Sequence, residues 1–304
     1  KSGADPRSGV RDQAWKPRSI LAETPTRLDG GGRVLAVTSG KGGVGKTNIS
    51  VGLALSAASS GLSTVLIDGD LGLANIDVLL DIHSEKNLGH LVEGEAQLRE
   101  ILVTGPEGLR ILPGASGLTQ VADMGHTRQQ RLLDAMGELV NSHDLVIIDT
   151  GAGISRSVVD LCQAAGEVLV VTTPEPTAVV DAYAMLKVFS CERPTPKCWL
   201  TVNQAQSRGE AQQVSSRITA LARKFLSLEL ENAGSVLFDP RVSASVRKRQ
   251  HFTRAYPASP ASRCIREVAT TIGIQKARKS GGGFLNRLKE VFVGDISGAR
   301  HRSL

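Results

Sequence analysis

The sequence predicts an α/β fold: a doubly wound, mostly parallel sheet of seven or eight strands, forming a single domain with a flexible N-terminal arm and a C-terminal amphipathic tail. Three observations predict it. Short runs rich in Val, Ile and Leu alternate with longer stretches of helical periodicity. The runs are apolar at successive positions, as in strands buried on both faces. A glycine-rich segment joins the first run to the first helical stretch, where parallel sheets place their phosphate-binding loops.

Residues 1–32 lack apolar periodicity, and Pro6, Pro17, Pro25 and Gly30-Gly31-Gly32 read as a flexible arm. Strands are expected at Val34–Val37, Thr64–Asp68, Leu109–Leu112, Leu145–Asp149, Val168–Thr172, Trp199–Asn203 and Val236–Phe238. Helices are expected at Lys46–Ser59, Thr127–Asn141, Pro176–Ser190, Glu210–Phe225 and Pro260–Ile272. Strands separated by helices make crossover units, so residues 33–275 read as one domain. Residues 276–304 form a second linker, through Ser280-Gly281-Gly282-Gly283, and a short basic amphipathic segment.

Composition narrows the function. The formal charge of +6 hides a split: residues 241–304 carry 14 basic and 3 acidic side chains, and the other 240 carry 22 and 27. A mildly acidic body with a basic last fifth points to an anionic partner: membrane, nucleic acid or acidic protein. A hydrophobic share of 41% supports a sizeable core, yet no run approaches the ~18 apolar residues of a membrane span. The polar stretch Lys1–Asp29 does not read as a secretory signal. Cys162, Cys191, Cys198 and Cys264 are scattered, without metal spacing, and read as four buried thiols. Aromatics at 3% are too few for a base-stacking single-strand binder.

The sharpest motif is Gly40-Lys41-Gly42-Gly43-Val44-Gly45-Lys46-Thr47, followed by Asn48. It fits G-x-x-x-x-G-K-[ST] between a strand and a helix. Its glycines let backbone N–H groups curl around phosphates, and the helix N-terminus adds its positive end. Lys46 should reach the β- and γ-phosphates, and the Thr47 hydroxyl should ligate Mg²⁺. The run Leu145–Asp149 ends in a carboxylate, the form that holds Mg²⁺, so Asp149 is the second expected metal residue; Gly151 and Gly153 beyond it allow a mobile sensing loop. Asp68 and Asp70 close another strand on the same sheet edge, where a helix-capping role is the simpler alternative. The Asn203 amide, donor and acceptor at once, suits an adenine edge.

With Lys41, the string Lys-Gly-Gly-Val-Gly-Lys-Thr resembles the deviant Walker A motif of the MinD/ParA family of ATPases. Asp70–Leu80, Asp149–Ile154, Glu175-Pro176-Thr177, Val246–Gln250 and Tyr256–Ser262 are similar to the FlhG (FleN, YlxH) branch of that family, and the likeness covers about residues 33–272. The resemblance implies ATP and Mg²⁺ as ligands and an ATP-dependent homodimer in which Lys41 reaches the partner's nucleotide. Asp70 would orient the attacking water, making Asp70, Lys41 and Lys46 the catalytic set. The segment Phe238-Asp239-Pro240-Arg241, with Asp239 and Pro240 as its contact residues, would join Asn203 at the adenine. The branch regulates flagellar number and placement, at the inner face of the cell membrane, with an FlhF-like GTPase and flagellar switch or transcription proteins as partners. Its N-terminal activating motif is similar to Asp12-Gln13-Ala14-Trp15-Lys16-Pro17-Arg18, with Pro17 where the branch has Leu. A proline that deep would break a helix begun at Asp12.

In the last segment, Phe284, Leu285, Leu288, Val291 and Phe292 share one helical face, flanked by Arg287 and Lys289. A tethered basic amphipathic helix reads as an interfacial membrane anchor, with a helix folded back on the domain as the alternative. Two rival functions stay open: a ParA-like partition ATPase that coats non-specific DNA through Arg247-Lys248-Arg249, and a regulatory module that binds partners without hydrolysis.

Overall fold

The computed structural model describes residues 31–70, 76–114, 125–276 and 283–293, with residues 292 and 293 described by backbone only. The motif at Asp12, Gln13 and Ala14 and the side chain of Phe292 lie outside the described residues.

Among the described residues, eight strands form one sheet: β1 (Arg33–Ser39), β2 (Thr64–Gly69), β3 (Val103–Thr104), β4 (Arg110–Leu112), β5 (Leu145–Ala152), β6 (Glu167–Thr172), β7 (Lys197–Ala205) and β8 (Leu230–Leu237). Their spatial order is β3-β4-β2-β5-β1-β6-β7-β8. Only the two-residue β3 runs antiparallel, against β4. The chain moves from β1 outward in both directions, so the topological switch lies at β1, between β5 and β6, and the crevice for a ligand opens at its C-terminal end.

The predicted buried strands are explained by the two faces. Val34 and Ala36 of β1 belong to one core, with Ile148 of β5 and Val168 of β6. Leu35 and Val37 belong to the other, with Ile147 and Leu169. The first face is covered by α3 (Leu88–Glu93), α4 (Leu98–Ile101), α5 (His126–Ser142), α6 (Arg156–Ala165), α7 (Pro176–Cys191) and α8 (Arg208–Leu221). The second is covered by α1 (Lys46–Ser59), α2 (Ile76–Leu80), α10 (Phe252–Ala255) and α11 (Pro260–Thr271), while α9 (Pro240–Arg247) lies at its rim. Helix α1 is buried through Ile49–Leu55 without a break, because sheet, α10 and α11 enclose it. An enclosed helix need not be amphipathic.

Some expectations differ from the structure. The last strand starts at Leu230 rather than Val236, and excludes Phe238. Its residues Glu231, Asn232 and Ser235 are polar because β8 is a sheet edge, so the apolar run is short. Helix α8 ends at Leu221 and passes into a π-helical turn over Ala222–Leu226. Of the four cysteines, Cys191 is exposed at the end of α7 and the other three are buried.

The terminal helix α12 (Phe284–Val293) is docked on α5 and α6. Phe284 and Leu288, expected on a lipid surface, are each 1% exposed and join the first core. Leu285 and Val291 pack partly against it. The Arg287 guanidinium donates to the carbonyls of Ala164 at 2.9 Å and Ala165 at 3.2 Å, the C-terminal end of α6. There a cation meets unsatisfied carbonyls and the negative end of the helix dipole. No helix among the described residues is long and apolar enough to cross a membrane.

Candidate functional site

The phosphate loop leaves β1 and turns into α1. Gly43 and Gly45 have φ of 80° and 87°, the left-handed region that favours glycine. At Gly45 a β-carbon would also lie 2.3 Å from Asn203 Nδ2. Gly45 caps α1 without a side-chain hydrogen bond, so the first-turn N–H groups of the helix are left to a ligand. Ser39, Gly42, Lys46, Thr47 and Asp70 line a cavity of about 370 Å³ over this loop.

Lys46 is 6% exposed, and its Nζ lies 3.0 Å from Asp149 Oδ1. The Ser50 hydroxyl donates to the same oxygen at 2.7 Å. Ser50 stands one helical turn after Lys46, on the face of α1 that meets the sheet. Asp149 is fully buried, yet its Oδ2 has no partner among the described residues. The Thr47 side chain makes no hydrogen bond among them either. A buried carboxylate oxygen with a free lone pair, beside a free hydroxyl at a phosphate loop, is the hard oxygen donor set that Mg²⁺ takes. Asp149 and Thr47 fit the ion, which would neutralise phosphate charge there.

Asp68 is buried at the end of β2, where its Oδ1 accepts from the Asp70 N–H at 3.2 Å and its Oδ2 from the Ile76 N–H at 3.5 Å. It thus holds both ends of the segment that carries Asp70. A β-carbon on Gly151 would lie 3.9 Å from Asp70 Oδ1, so this carboxylate faces the end of β5. Gly153, with φ 91°, returns its N–H to the Ser39 carbonyl at 2.8 Å, tying the loop after β5 to the root of the phosphate loop.

Lys41 points the other way. Its Nζ donates to Glu175 Oε1 at 2.6 Å and Thr177 Oγ1 at 2.8 Å, and the Thr177 hydroxyl donates to the same carboxylate oxygen at 2.8 Å. The hydrogen bond from Lys41, followed by that from Thr177, holds the Glu175 carboxyl below the usual range.

Beside the phosphate-loop cavity lies a second cavity, of about 430 Å³, continuous with the loop through Gly43, Gly45 and Asn48. Asn203 is 8% exposed and donates Nδ2 to the Val44 carbonyl at 2.7 Å. One of its two N–H donors is therefore committed to the loop, and the second N–H and the acceptor Oδ1 remain for a ligand. Asp239 lines the cavity, but its carboxylate caps α9 at the Arg241 N–H, 3.0 Å away. Pro240 opens α9 in its first turn and is not on the cavity wall. Phe238, in the segment expected at the adenine, does line the cavity, whereas Ser50, Glu175 as the seat of Lys41, Gln204, Val246 and Arg247 were not expected from sequence as site residues. The similarity at Glu175-Pro176-Thr177 and Val246–Gln250 was the available signal, without roles attached.

His251 is fully buried behind this wall. Its Nε2 lies 2.9 Å from the Asn48 carbonyl, so Nε2 must carry the proton, and Nδ1 accepts from the Thr253 N–H at 3.3 Å. Burial lowers its pKa to about 4. Burial likewise pushes the Cys162 and Cys198 thiols up to about 12, which makes neither a nucleophile.

A family model described as an AAA domain matches residues 32–192. The chain is 38% identical over 240 residues to the antiactivator FleN of Pseudomonas aeruginosa, covering 79% of this chain and 86% of that protein. It is 35% identical to the flagellum site-determining protein YlxH of Helicobacter pylori, over 79% of this chain and 81% of that one. The chain belongs to the MinD/ParA family of ATPases, on its FlhG/FleN branch. Among solved structures, the cell-division ATPase MinD of Pyrococcus furiosus superposes with a TM-score of 0.63 at 20% identity, over 79% of this chain and 98% of that one. MinD of Pyrococcus horikoshii, solved with Mg-ADP, matches with the same TM-score at 20% identity, over 80% and 98%. At this identity the two structures establish the MinD fold. As a P-loop ATPase of this family, the chain places its phosphate loop, Walker B carboxylate and Asp70 on one sheet edge.

Proposed function

We propose that the chain is an ATP-operated dimerising switch that regulates flagellar number or placement. It binds ATP and Mg²⁺, pairs with a second copy across the nucleotide edge, and in that state engages partner proteins and an anionic membrane surface. The observation that carries this reading is the division between two lysines of one loop. Lys46 lies buried on Asp149, whereas Lys41 sits partly exposed on Glu175 and Thr177, turned away from its own phosphate site. A lysine so placed is available to a nucleotide on a facing subunit.

The remaining roles follow from chemistry. The Asn203 amide keeps one N–H and its Oδ1, a donor and an acceptor that suit a ring nitrogen and the exocyclic amine of adenine. Asp70 aligns water for attack on the γ-phosphate, since phosphoryl transfer depends on positioning and charge stabilisation. Asp12, Gln13 and Ala14 are the segment for an FlhF-like GTPase, and flagellar switch or transcription proteins are the other partners. The names of the FleN and YlxH relatives support the flagellar assignment.

Peripheral membrane residence requires α12 to leave its groove. Burying Phe284 and Leu288 contributes roughly 1.5–3 kcal/mol each, and a lipid surface offers their apolar area a similar gain. The exchange is therefore close to balanced for one subunit. Two helices on one dimer tip it, because the second binds at high effective concentration.

The test is light scattering of the purified chain with Mg-ATP, alongside Asp70→Ala, with phosphate release measured in parallel. A dimer that accumulates in the variant, with hydrolysis lost, is expected; a monomer in both sinks the switch. Arg247, Lys248 and Arg249 are all exposed, which keeps a DNA-coating reading in play. Co-sedimentation with anionic vesicles and with non-specific DNA separates the two readings.

A further inference from the structure

Ser50 is a polar side chain whose place in the core its own helix does not explain. It is fully buried on α1, between Ile49 and Val51, which are 1% and 0% exposed. A serine inside a helix commonly spends its hydroxyl on the carbonyl four residues back. That partner is present, since Ser50 Oγ lies 3.1 Å from the Lys46 carbonyl. The same Oγ lies closer, at 2.7 Å, to Asp149 Oδ1. A hydroxyl has one proton, and so short a distance to a carboxylate marks a charge-assisted bond, so the proton goes to Asp149.

The Asp149 backbone is fixed within the sheet, where it pairs with Val37 of β1 and Asp68 of β2. The freedom that remains is rotation of the carboxylate, which would exchange Oδ1 and Oδ2. Lys46 Nζ at 3.0 Å and the Ser50 hydroxyl both hold Oδ1, and Oδ2 is left without a partner among the described residues. The two donors are not equivalent. Lys46 ends a flexible four-carbon stem and is the residue that phosphate would draw away. Ser50 Oγ is placed by a single torsion on an enclosed helix, and Ser50 does not line the cavity over the phosphate loop. It is therefore the donor that stays on Oδ1 once the lysine is engaged.

We propose that Ser50 is a positioning residue of this ATPase: by holding Oδ1 it commits Oδ2 of Asp149 to Mg²⁺. It acts through the carboxylate, without touching nucleotide or ion. A hydrogen-bond donor behind a ligating carboxylate sets the direction of its free lone pairs, and losing one commonly costs about 10- to 100-fold in metal affinity. The assignment rests on the proposed binding of ATP and Mg²⁺. It adds a residue that lies outside both the phosphate loop and the strand that ends in Asp149.

The experiment compares two pairs of full-length chains that differ by one hydroxyl: the parent with Ser50→Ala, and Ser50→Thr with Ser50→Val. The members of the second pair match in volume, so a loss common to both reports packing, and the first pair stands alone if neither folds. Affinity for ADP is titrated calorimetrically in excess EDTA and across a series of Mg²⁺ concentrations, and phosphate release from ATP is followed over the same series. Loss of the hydroxyl should raise the Mg²⁺ concentration for half-maximal effect by about 10-fold within each pair. Affinity for ADP in EDTA should stay unchanged, and saturating Mg²⁺ should restore most of kcat. The threonine variant should keep the parent's Mg²⁺ requirement. Equal Mg²⁺ requirements between the parent and Ser50→Ala would overturn the assignment. So would a loss of ADP affinity in EDTA as large as the loss in Mg²⁺, which would make Ser50 a structural support of the loop. A parent whose ADP affinity is indifferent to Mg²⁺ would overturn the Mg²⁺ reading itself, and the assignment with it.

Discussion

Lys46 and Asp149 form a buried ion pair, Nζ to Oδ1 at 3.0 Å, on a carboxylate whose other oxygen has no partner among the described residues. The pair stores both halves of the phosphate and metal chemistry in one place. With nucleotide and Mg²⁺ seated, Lys46 would hold phosphate and Asp149 the ion, so neither charge would be left without a partner. Asp149→Asn keeps the shape and removes the charge, leaving a buried ammonium with a neutral acceptor. Breaking one side of a buried pair costs on the order of 3 kcal/mol. Without nucleotide the variant should melt several degrees lower in differential scanning calorimetry, and its phosphate release should fall to background. An unchanged melting temperature would show that the pair is not closed in the resting protein.

That pair was readable in advance as two motifs, though not as a contact. The spacing of Gly40–Thr47 identifies a loop because only glycines permit its turns, and the apolar run before Asp149 identifies a strand because both its faces are covered. The segment at Leu230–Leu237 escaped because an edge strand needs less apolar sequence. The two-residue β3 carries no periodicity at all. The amphipathic pattern of Phe284–Val293 announced a covered face, but periodicity says nothing of what covers it, whether lipid or the groove between α5 and α6. Ser50 and Glu175 escaped because their roles lie in contacts made 99 and 134 residues away in sequence.

Glu175 restrains Lys41 in the resting chain through an exposed contact, so its removal should act on assembly more than on stability. Glu175→Ala frees the lysine for a facing nucleotide. The dimer fraction at sub-saturating ATP should rise a few-fold in analytical ultracentrifugation, whereas Lys41→Ala should leave a monomer that still binds ATP. The carboxyl is held below its usual range by the lysine, so the restraint is present at neutral pH and is lost only as pH falls through that lowered pKa. Equal dimer fractions for Glu175→Ala and the parent would show that the contact imposes no restraint.

His251 gives the protein an acid limit. Its folded pKa of about 4 lies below the ordinary value of 6.5 because burial disfavours the imidazolium. Between these values the unfolded chain binds a proton that the folded chain refuses. Stability from this residue is therefore intact above about pH 6.5 and declines as pH falls toward 4, by roughly 3 kcal/mol in all. Urea midpoints measured from pH 7.5 to 4.5 should fall more steeply in the parent than in His251→Gln, whose amide can still donate to the Asn48 carbonyl. Parallel slopes in the two proteins would locate the acid sensitivity elsewhere.

Arg287 links the C-terminal helix to α6 by a contact that a lysine cannot copy. The guanidinium divides its donors between the carbonyls of Ala164 and Ala165, and a β-carbon on Gly166 would lie 2.7 Å from it, so the groove is cut to this side chain. Arg287→Lys keeps the charge that an anionic leaflet would attract, worth about 1 kcal/mol in either residue, and loses the forked donation. It changes neither Phe284 nor Leu288, so the face offered to lipid is unaltered. The docked state alone is weakened, and the variant should bind phosphatidylserine vesicles without ATP a few-fold more than the parent. In hydrogen exchange, residues 284–291 should lose protection by a similar factor. Greater exchange with no gain in vesicle binding would mean that α12 is a structural helix and that membrane contact, if made, uses another surface.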